Sequence, residues 1–404
     1  MGKTLFLGVP AYGHINPTLG IISELIKEGE EVIYFCDEDF RQRIEKTGAV
    51  FKAYGEWINV FGKSRPSNEK KMNIEFLSQI LDNIVMNFEK SIESILEEIK
   101  DIRFDYVGFS ANFPFGGVIA KILKIPSFSS FAVFATPEEM LPKEFKKEVE
   151  EFFKTSPIQG KYKEVSDRLN RKYNIEMPKL KNLMFNKGDI NFAYTSRYFV
   201  ANIEKYDESF KFIGPPIYDR KEDTKDFPYK EIEGKKVIYI SLGTVFSSYD
   251  INLYNIFFEA FKDENLVVVM TAYNTDLSKF EVPENFVVKN YISQSEILKY
   301  ADAAVTHSGM NSTNDLLFNN VPFVAIPLGA DQPYMASRAA KLGACISLDK
   351  DKLTAEILRD SVNKVLTEPK YLENIKKINE SFKECGGYKR AAEEVLNLRV
   401  KSLV

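Results

Sequence analysis

The chain has 404 residues, 44% of them hydrophobic, and carries 54 Lys and Arg against 58 Asp and Glu, a formal net charge of −4. That length exceeds a single hydrophobic core and predicts two domains of roughly 200 residues each, and the slight acidity argues against nucleic acid as the main partner. The three cysteines, Cys36, Cys345 and Cys385, stand far apart, which suggests neither a disulfide scaffold nor a zinc site and suits reducing cytoplasm.

Residues 4–9 read as a buried strand followed by the loop PAYGHIN. Asn16-Pro17 reads as the N-cap and first residue of a helix that Gly29 ends, before a second strand at 31–36. The first apolar run is too short for a signal peptide, and no run approaches the ~20 residues of a membrane span. Gly8 and Gly13 are too far apart for the GxGxxG fingerprint, so no nicotinamide cofactor is expected. His14 occupies that loop instead. It and His307 are the two histidines of the chain, and each falls just past the C-terminal end of a strand, where open parallel sheets hold ligands. Imidazole is the side chain best suited to take a proton near neutrality, although a structural histidine beside a helix start fits the same position.

Residues 54–66, with Trp57 and Phe61, read as an aromatic loop. A long amphipathic helix over 72–100 puts Leu77, Leu81, Ile84, Phe88, Ile92, Ile95 and Ile99 on one face. Strands follow at 105–109, ending at Ser110, and at 127–131, leading to Phe134 and Met140. The stretch 137–187 is helical and charged, and strands at 190–195 and 211–213 close the first domain. Gly214-Pro215-Pro216 opens a linker whose charged run, 219–235, lacks apolar periodicity, as an exposed hinge would.

The second domain begins with a strand at 237–241, the loop Leu242-Gly243-Thr244, a helix to about 262, a strand at 266–270 and the run FVVKNYISQSEIL at 286–298. Its centre is 301–342. A strand at 303–306 leads into His307, Ser308 and Gly309, then into a helix starting at Asn311 or Ser312. Such a start presents unpaired N–H groups and a positive dipole end to a phosphate. Val321-Pro322 stops that helix near Asn319-Asn320. A strand at 323–326, a loop at 327–331 and a helix with Pro333 in its first turn follow. Two strands thus bring two polar loops to one sheet edge. The tail, 353–404, is helical and breaks at Cys385-Gly386-Gly387.

The ordered run HSGMNSTNDLLFNNVPFVAIPLGADQ, the element Tyr291-Ile292-Ser293-Gln294 before it, and Gly13-His14-Ile15-Asn16-Pro17 near the start resemble the inverting UDP-sugar glycosyltransferases of GT-B fold, closest to the bacterial macrolide and flavonoid glucosyltransferase branch. The resemblance covers nearly the whole chain. It implies an α/β protein of two Rossmann-like domains facing across a cleft. These would be an acceptor-binding domain at 1–213, a linker at 214–235, a donor-binding domain at 236–385 and a final helix, 386–404, packing back on the first domain.

It also implies that His14 is the general base and that Gly243 and Thr244 approach the phosphates. Tyr291 would stack on uracil where the family has tryptophan, Ile292 would present its backbone to the base edge, and Gln294 keeps the family's glutamine, with Ser293 in place of proline. His307 and the N–H groups near Gly309, Asn311 and Ser312 would hold the diphosphate. Asp315, a methylene shorter than the family's glutamate, would reach the ribose, and Asp331 with Gln332 would read sugar hydroxyls. Trp57, Phe61, Asn112, Phe131 and Phe134 are the implied acceptor-side residues. Asp315 equally suits the helix dipole, and Asp331 equally suits an N-cap.

One departure stands out. Where the family has an aspartate that orients the base, this chain has Ser110-Ala111-Asn112. Ser110 or Asn112 can orient His14 but adds no charge, so the expected acceptor has an acidic hydroxyl, such as a phenol of pKa near ~10. Two DxD strings, at 37–39 and 349–351, lie among charged residues. No metal is expected, since a helix dipole and His307 supply the positive field. The expected reaction moves a sugar, glucose from UDP-glucose before TDP donors, to a small hydrophobic acceptor and gives a β-glycoside. The expected protein is a cytoplasmic monomer or homodimer without nucleic-acid or membrane partners. A non-catalytic nucleotide-sugar binder of the same fold is the alternative, favoured by the missing aspartate and opposed by His14.

Overall fold

Continuous apolar runs such as VVVMT and AAVT form strands whose every residue is buried, the pattern of parallel sheets covered on both faces. The computed structural model describes residues 2–56, 58, 74–132, 143–217, 227–243, 251–329 and 331–402. The chain divides into two units. The first comprises Met1–Tyr194, Asn202–Tyr218 and Cys385–Val404, and the second Thr195–Ala201 and Asp219–Glu384.

In the first unit, β1 (Lys3–Leu7), β2 (Glu31–Cys36), β3 (Val50–Ala53), β4 (Tyr106–Ser110), β5 (Ser127–Phe131), β6 (Ile190–Ala193) and β7 (Phe210–Phe212) form one parallel sheet in the order β3-β2-β1-β4-β5-β6-β7. The order reverses between β1 and β4, which opens a crevice at their C-terminal ends. The helices are α1 (Tyr12–Lys27), α2 (Arg41–Glu45), α3 (Ile74–Ile99), α4 (Gly116–Leu123), α5 (Lys143–Thr155) and α6 (Ile158–Tyr173). The stripe Leu81, Ile84, Phe88, Ile92, Ile95 and Ile99 of α3 is buried as its spacing predicts, with Leu77 packed at the margin. Each such side chain contributes about 1.5–3 kcal/mol relative to exposure. In the charged stretch, α6 lies parallel to α3. The pairs Lys161–Asp82, Arg168–Glu89 and Lys172–Glu93 keep one 79-residue offset, and Ile158, Tyr162, Val165 and Leu169 are buried.

α1 starts five residues before the expected Pro17. The Ala11 carbonyl accepts both the His14 N–H at 2.9 Å and the Ile15 N–H at 3.0 Å, so the helix is nucleated at Tyr12 and Pro17 lies inside it. Asn16 is no cap, and its Oδ1 accepts from Arg43 at 3.2 Å. The exit is as expected: Gly29 has φ +86°, the left-handed conformation that glycine adopts without strain.

In the second unit, β8 (Val237–Ser241), β9 (Val267–Thr271), β10 (Phe286–Lys289), β11 (Ala303–Thr306), β12 (Phe323–Ala325) and β13 (Cys345–Ser347) form a parallel sheet ordered β10-β9-β8-β11-β12-β13. This is the doubly wound order, with its crevice between β8 and β11. The helices are α7 (Tyr229–Ile232), α8 (Asn252–Phe261), α9 (Gln294–Ile297), α10 (Met310–Phe318), α11 (Gln332–Lys341), α12 (Ala355–Thr367) and α13 (Pro369–Lys383). The short edge strands β3 and β13 carry no sequence signal of their own.

The run expected to be a featureless hinge contains α7, anchored by Ile232 at 1% exposure. The segment Thr195–Ala201 belongs to the second unit because Arg338 and Tyr334 of α11 take up its backbone. Arg338 Nη2 donates to the carbonyls of Tyr198 at 2.9 Å and Val200 at 3.2 Å, and Tyr334 Oη accepts the Ala201 N–H at 3.2 Å. The final helix, α14 (Gly387–Ser402), belongs to the first unit. Its Tyr388 donates to the Pro17 carbonyl at 2.9 Å, over a surface where Gly20 leaves room that a Cβ would fill.

Candidate active site

Several of the residues that the sequence singles out stand just past strand ends of the two sheets. In the second unit, Gly243 follows β8 and His307 follows β11, with Ser241 and Thr306 in register. His307 Nδ1 lies 3.4 Å from the Ser241 carbonyl, and because a carbonyl only accepts, Nδ1 carries the hydrogen. The ring lies against two glycines: a Cβ at Gly243 or Gly309 would come within 2.7 Å of it. Burial lowers the His307 pKa from 6.5 to about 4, the Ser241 carbonyl pulling it back only in part. Before ligand binding His307 is therefore a neutral ring, which corrects the expectation that it supplies positive charge.

The turn after His307 holds Ser308 at φ +62°, a conformation uncommon outside glycine. It is fixed by the Ser308 N–H to Thr306 Oγ1 at 3.1 Å and by Ser308 Oγ to Thr313 Oγ1 at 3.0 Å. Gly309 is then the N-cap of α10, extended and without a side-chain cap. The turn leads into the first N–H groups of α10, around Asn311 and Ser312, for which the helix itself supplies no acceptors.

Two further loops meet this turn. Gln294, opening α9, donates from Nε2 to Asp315 Oδ2 at 2.6 Å, so the amide and the carboxylate form one unit. Asp315 is 6% exposed, Ile292 7% and Tyr291 51%. Asp331 occupies the N-cap position of α11, yet its side chain makes no cap bond there. Its Oδ2 accepts the Met310 N–H of α10 at 2.9 Å, and burial raises its pKa. Gln332 is committed on one side, its Oε1 accepting the N–H groups of Leu328 at 2.7 Å and Gly329 at 3.1 Å.

In the first unit His14 is the third residue of α1, half-buried in the first turn of that helix rather than on a loop. The preceding loop is pinned from two sides. Tyr54 Oη donates to the Gly8 carbonyl at 2.9 Å, and its ring stacks on Phe113 at 5.3 Å and 12°. From the other side of the crevice, Ser110 Oγ accepts the Val9 N–H at 3.3 Å. Asn112 Nδ2 donates to the Met184 carbonyl at 2.8 Å.

Phe131 is also corrected. It is 1% exposed in an interior strand and packs on Phe210 at 5.1 Å, so its ring is core. Trp57, Phe61, Phe134, Met140 and Thr244 lie outside the described residues. Sequence reasoning passed over Tyr54, although an aromatic residue directly after the short strand β3 is a signal of a kind. Among the described residues no three His, Cys, Asp or Glu side chains cluster as metal ligands. The three cysteines are buried and in no disulfide, and in the second DxD string Asp349 accepts the Asp351 N–H at 3.0 Å in a turn. Among the described residues no helix is long and apolar enough to cross a membrane.

Residues 259–384 match the family model described as erythromycin biosynthesis protein CIII-like, C-terminal domain. Over its length the chain is similar to the uncharacterized UDP-glucosyltransferase YdhE of Bacillus subtilis, 34% identical over 412 residues, 98% of each chain. It is also similar to the uncharacterized UDP-glucosyltransferase YojK of the same organism, 33% identical over 400 residues, 98% of this chain and 97% of that one. Among solved structures, that of the glycotransferase of kitacinnamycin superposes with a TM-score of 0.81 at 23% identity, covering 98% of this chain and 99% of the other.

Proposed function

Because this chain belongs to the UDP-glycosyltransferase family, in its bacterial macrolide- and flavonoid-type branch and with the GT-B fold, we propose that it transfers glucose from UDP-glucose to a hydroxyl of a small hydrophobic acceptor, phenolic or macrolide in type, with inversion. The observation that carries the reading is the Gln294–Asp315 pair, 2.6 Å apart, on the same sheet edge as the start of α10. A nucleoside diphosphate suits the chemistry of these groups: a flat base beside Tyr291, ribose hydroxyls that can donate to Asp315, and phosphates for the helix N-terminus.

In the proposed step the acceptor oxygen attacks the anomeric carbon while its proton passes to His14. The bond from that carbon to the diphosphate oxygen breaks on the opposite face, so an α-linked donor gives a β-glycoside. Negative charge grows on the departing diphosphate, and the preorganised N–H groups of α10 stabilise it. The positive end of α10 takes the part a metal would otherwise play, so turnover should survive EDTA. His307 presents a neutral Nε2 and must gain a proton to donate to a phosphate oxygen. An acidic acceptor hydroxyl, of pKa near ~10 for a phenol, suits a base beside which Ser110 and Asn112 supply no carboxylate.

The test is UDP release from UDP-glucose with phenolic and macrolide acceptors, native chain beside His14→Ala. Acceptor-dependent release that disappears in the variant supports the reading. Binding of UDP-glucose without release for any acceptor would replace it with a nucleotide-sugar-binding role.

A further inference from the structure

The Asp331 carboxylate does something its place in the sequence does not suggest. It stands where it would cap its own helix, α11, but reaches across to the first amide of α10, Met310, at 2.9 Å. α10 has Gly309 at its N-cap and no capping side chain of its own. The positive end of that helix is thus already met by an anion from the neighbouring loop, in buried surroundings where charges interact strongly.

Other bonds hold the neighbouring backbone as well. Gln332 Oε1 holds the N–H groups of Leu328 and Gly329, and α11 is fixed further along by Arg338 and Tyr334. Asp331 therefore adds charge where other bonds also anchor the backbone. Charge at the start of α10 opposes a second anion there, unless that second anion brings hydrogen-bond donors that the carboxylate can use.

Resting on the donor reading above, we infer that Asp331 discriminates between the intact nucleotide-sugar and the spent nucleotide: its carboxylate competes with a diphosphate for the start of α10. Sugar hydroxyls donating to the carboxylate offset that competition in the donor. Bare UDP has no sugar and meets the competition in full, so the same carboxylate that helps to hold the donor helps to expel the product.

Calorimetric titration of the full chain with UDP and separately with UDP-glucose, without acceptor, tests this in the native protein, in Asp331→Asn and in Asp331→Ala. The amide of Asp331→Asn still accepts the Met310 N–H, so it removes charge and little else. The expected result is UDP bound about three- to tenfold more tightly by both variants, with UDP-glucose gaining nothing or losing affinity. A residue that merely held the loop would weaken both ligands together in the variants, and that outcome, or unchanged UDP affinity, overturns the inference. Native protein that bound neither nucleotide would instead remove the donor reading and this inference with it.

Discussion

Gln294 and Asp315 are 21 residues apart in sequence and 2.6 Å apart in space, an amide N–H on a carboxylate oxygen in a part-buried setting. The bond orients the carboxylate before any ligand arrives. Asp315→Asn should raise KM for the sugar donor about tenfold with little change in kcat, because it weakens binding without touching the reacting atoms. Gln294→Ala should do the same, and the double variant should fall short of the sum, as contacting residues do. Steady-state kinetics on the four proteins decide it.

His14 and Ser110 give a second prediction. His14→Ala should lower kcat by about 10²–10⁴, the usual contribution of a general base. Ser110→Asp places a carboxylate where the sequence resemblance implies one, and should raise turnover of alkyl alcohols more than that of phenols. Equal, unchanged rates for both acceptor classes would show that Ser110 has no bearing on the base.

Gly243 has φ +73°, and a Cβ there would meet the His307 ring at 2.7 Å. Gly243→Ala should destabilise the protein by roughly 1–3 kcal/mol through overpacking and backbone strain. It should also weaken UDP binding, since the ring must shift. Urea unfolding beside UDP titration separates the two effects. A variant with native stability and native affinity would show that the ring has slack.

His307 titrates near 4 because burial disfavours its charged form. In the unfolded chain it would titrate near ~6.5, so between those values the unfolded state binds the extra proton and stability rises with pH. The contribution is complete above the unfolded value and is lost as pH falls toward 4, on the order of 3 kcal/mol in all. With two histidines in the chain, an imidazole-labelled NMR titration resolves His307 directly. Its midpoint should lie near 4 in the free protein and rise when UDP binds, because Nδ1 already serves Ser241 and only a protonated Nε2 can donate to a phosphate. A midpoint that ignored UDP would place the diphosphate away from this ring.

Much of the second unit was legible in advance, for reasons of local chemistry. The runs at β8, β9 and β11 are apolar on both faces, Val321-Pro322 stops α10 close to where it stops, and the turn between β11 and α10 is built of small residues. Where sequence reasoning failed, a partner outside the motif had overridden the motif's own preference. Asn16-Pro17 is a sound helix entry by itself, but the Ala11 carbonyl starts α1 earlier and carries His14 onto the helix. Phe131 resembles a pocket aromatic until Phe210, brought alongside by β7, buries it.

The sequence by itself determined the alternation of strands and helices, the two sheet edges that bear His14 and His307, and the family, because these follow from short-range patterning. What only the tertiary structure decided is what those residues are chemically. The charge state of His307, the destination of the Ser110 hydrogen bond and the reach of Asp331 from one helix to the start of another depend on desolvation and on partners remote in sequence, which no local pattern encodes.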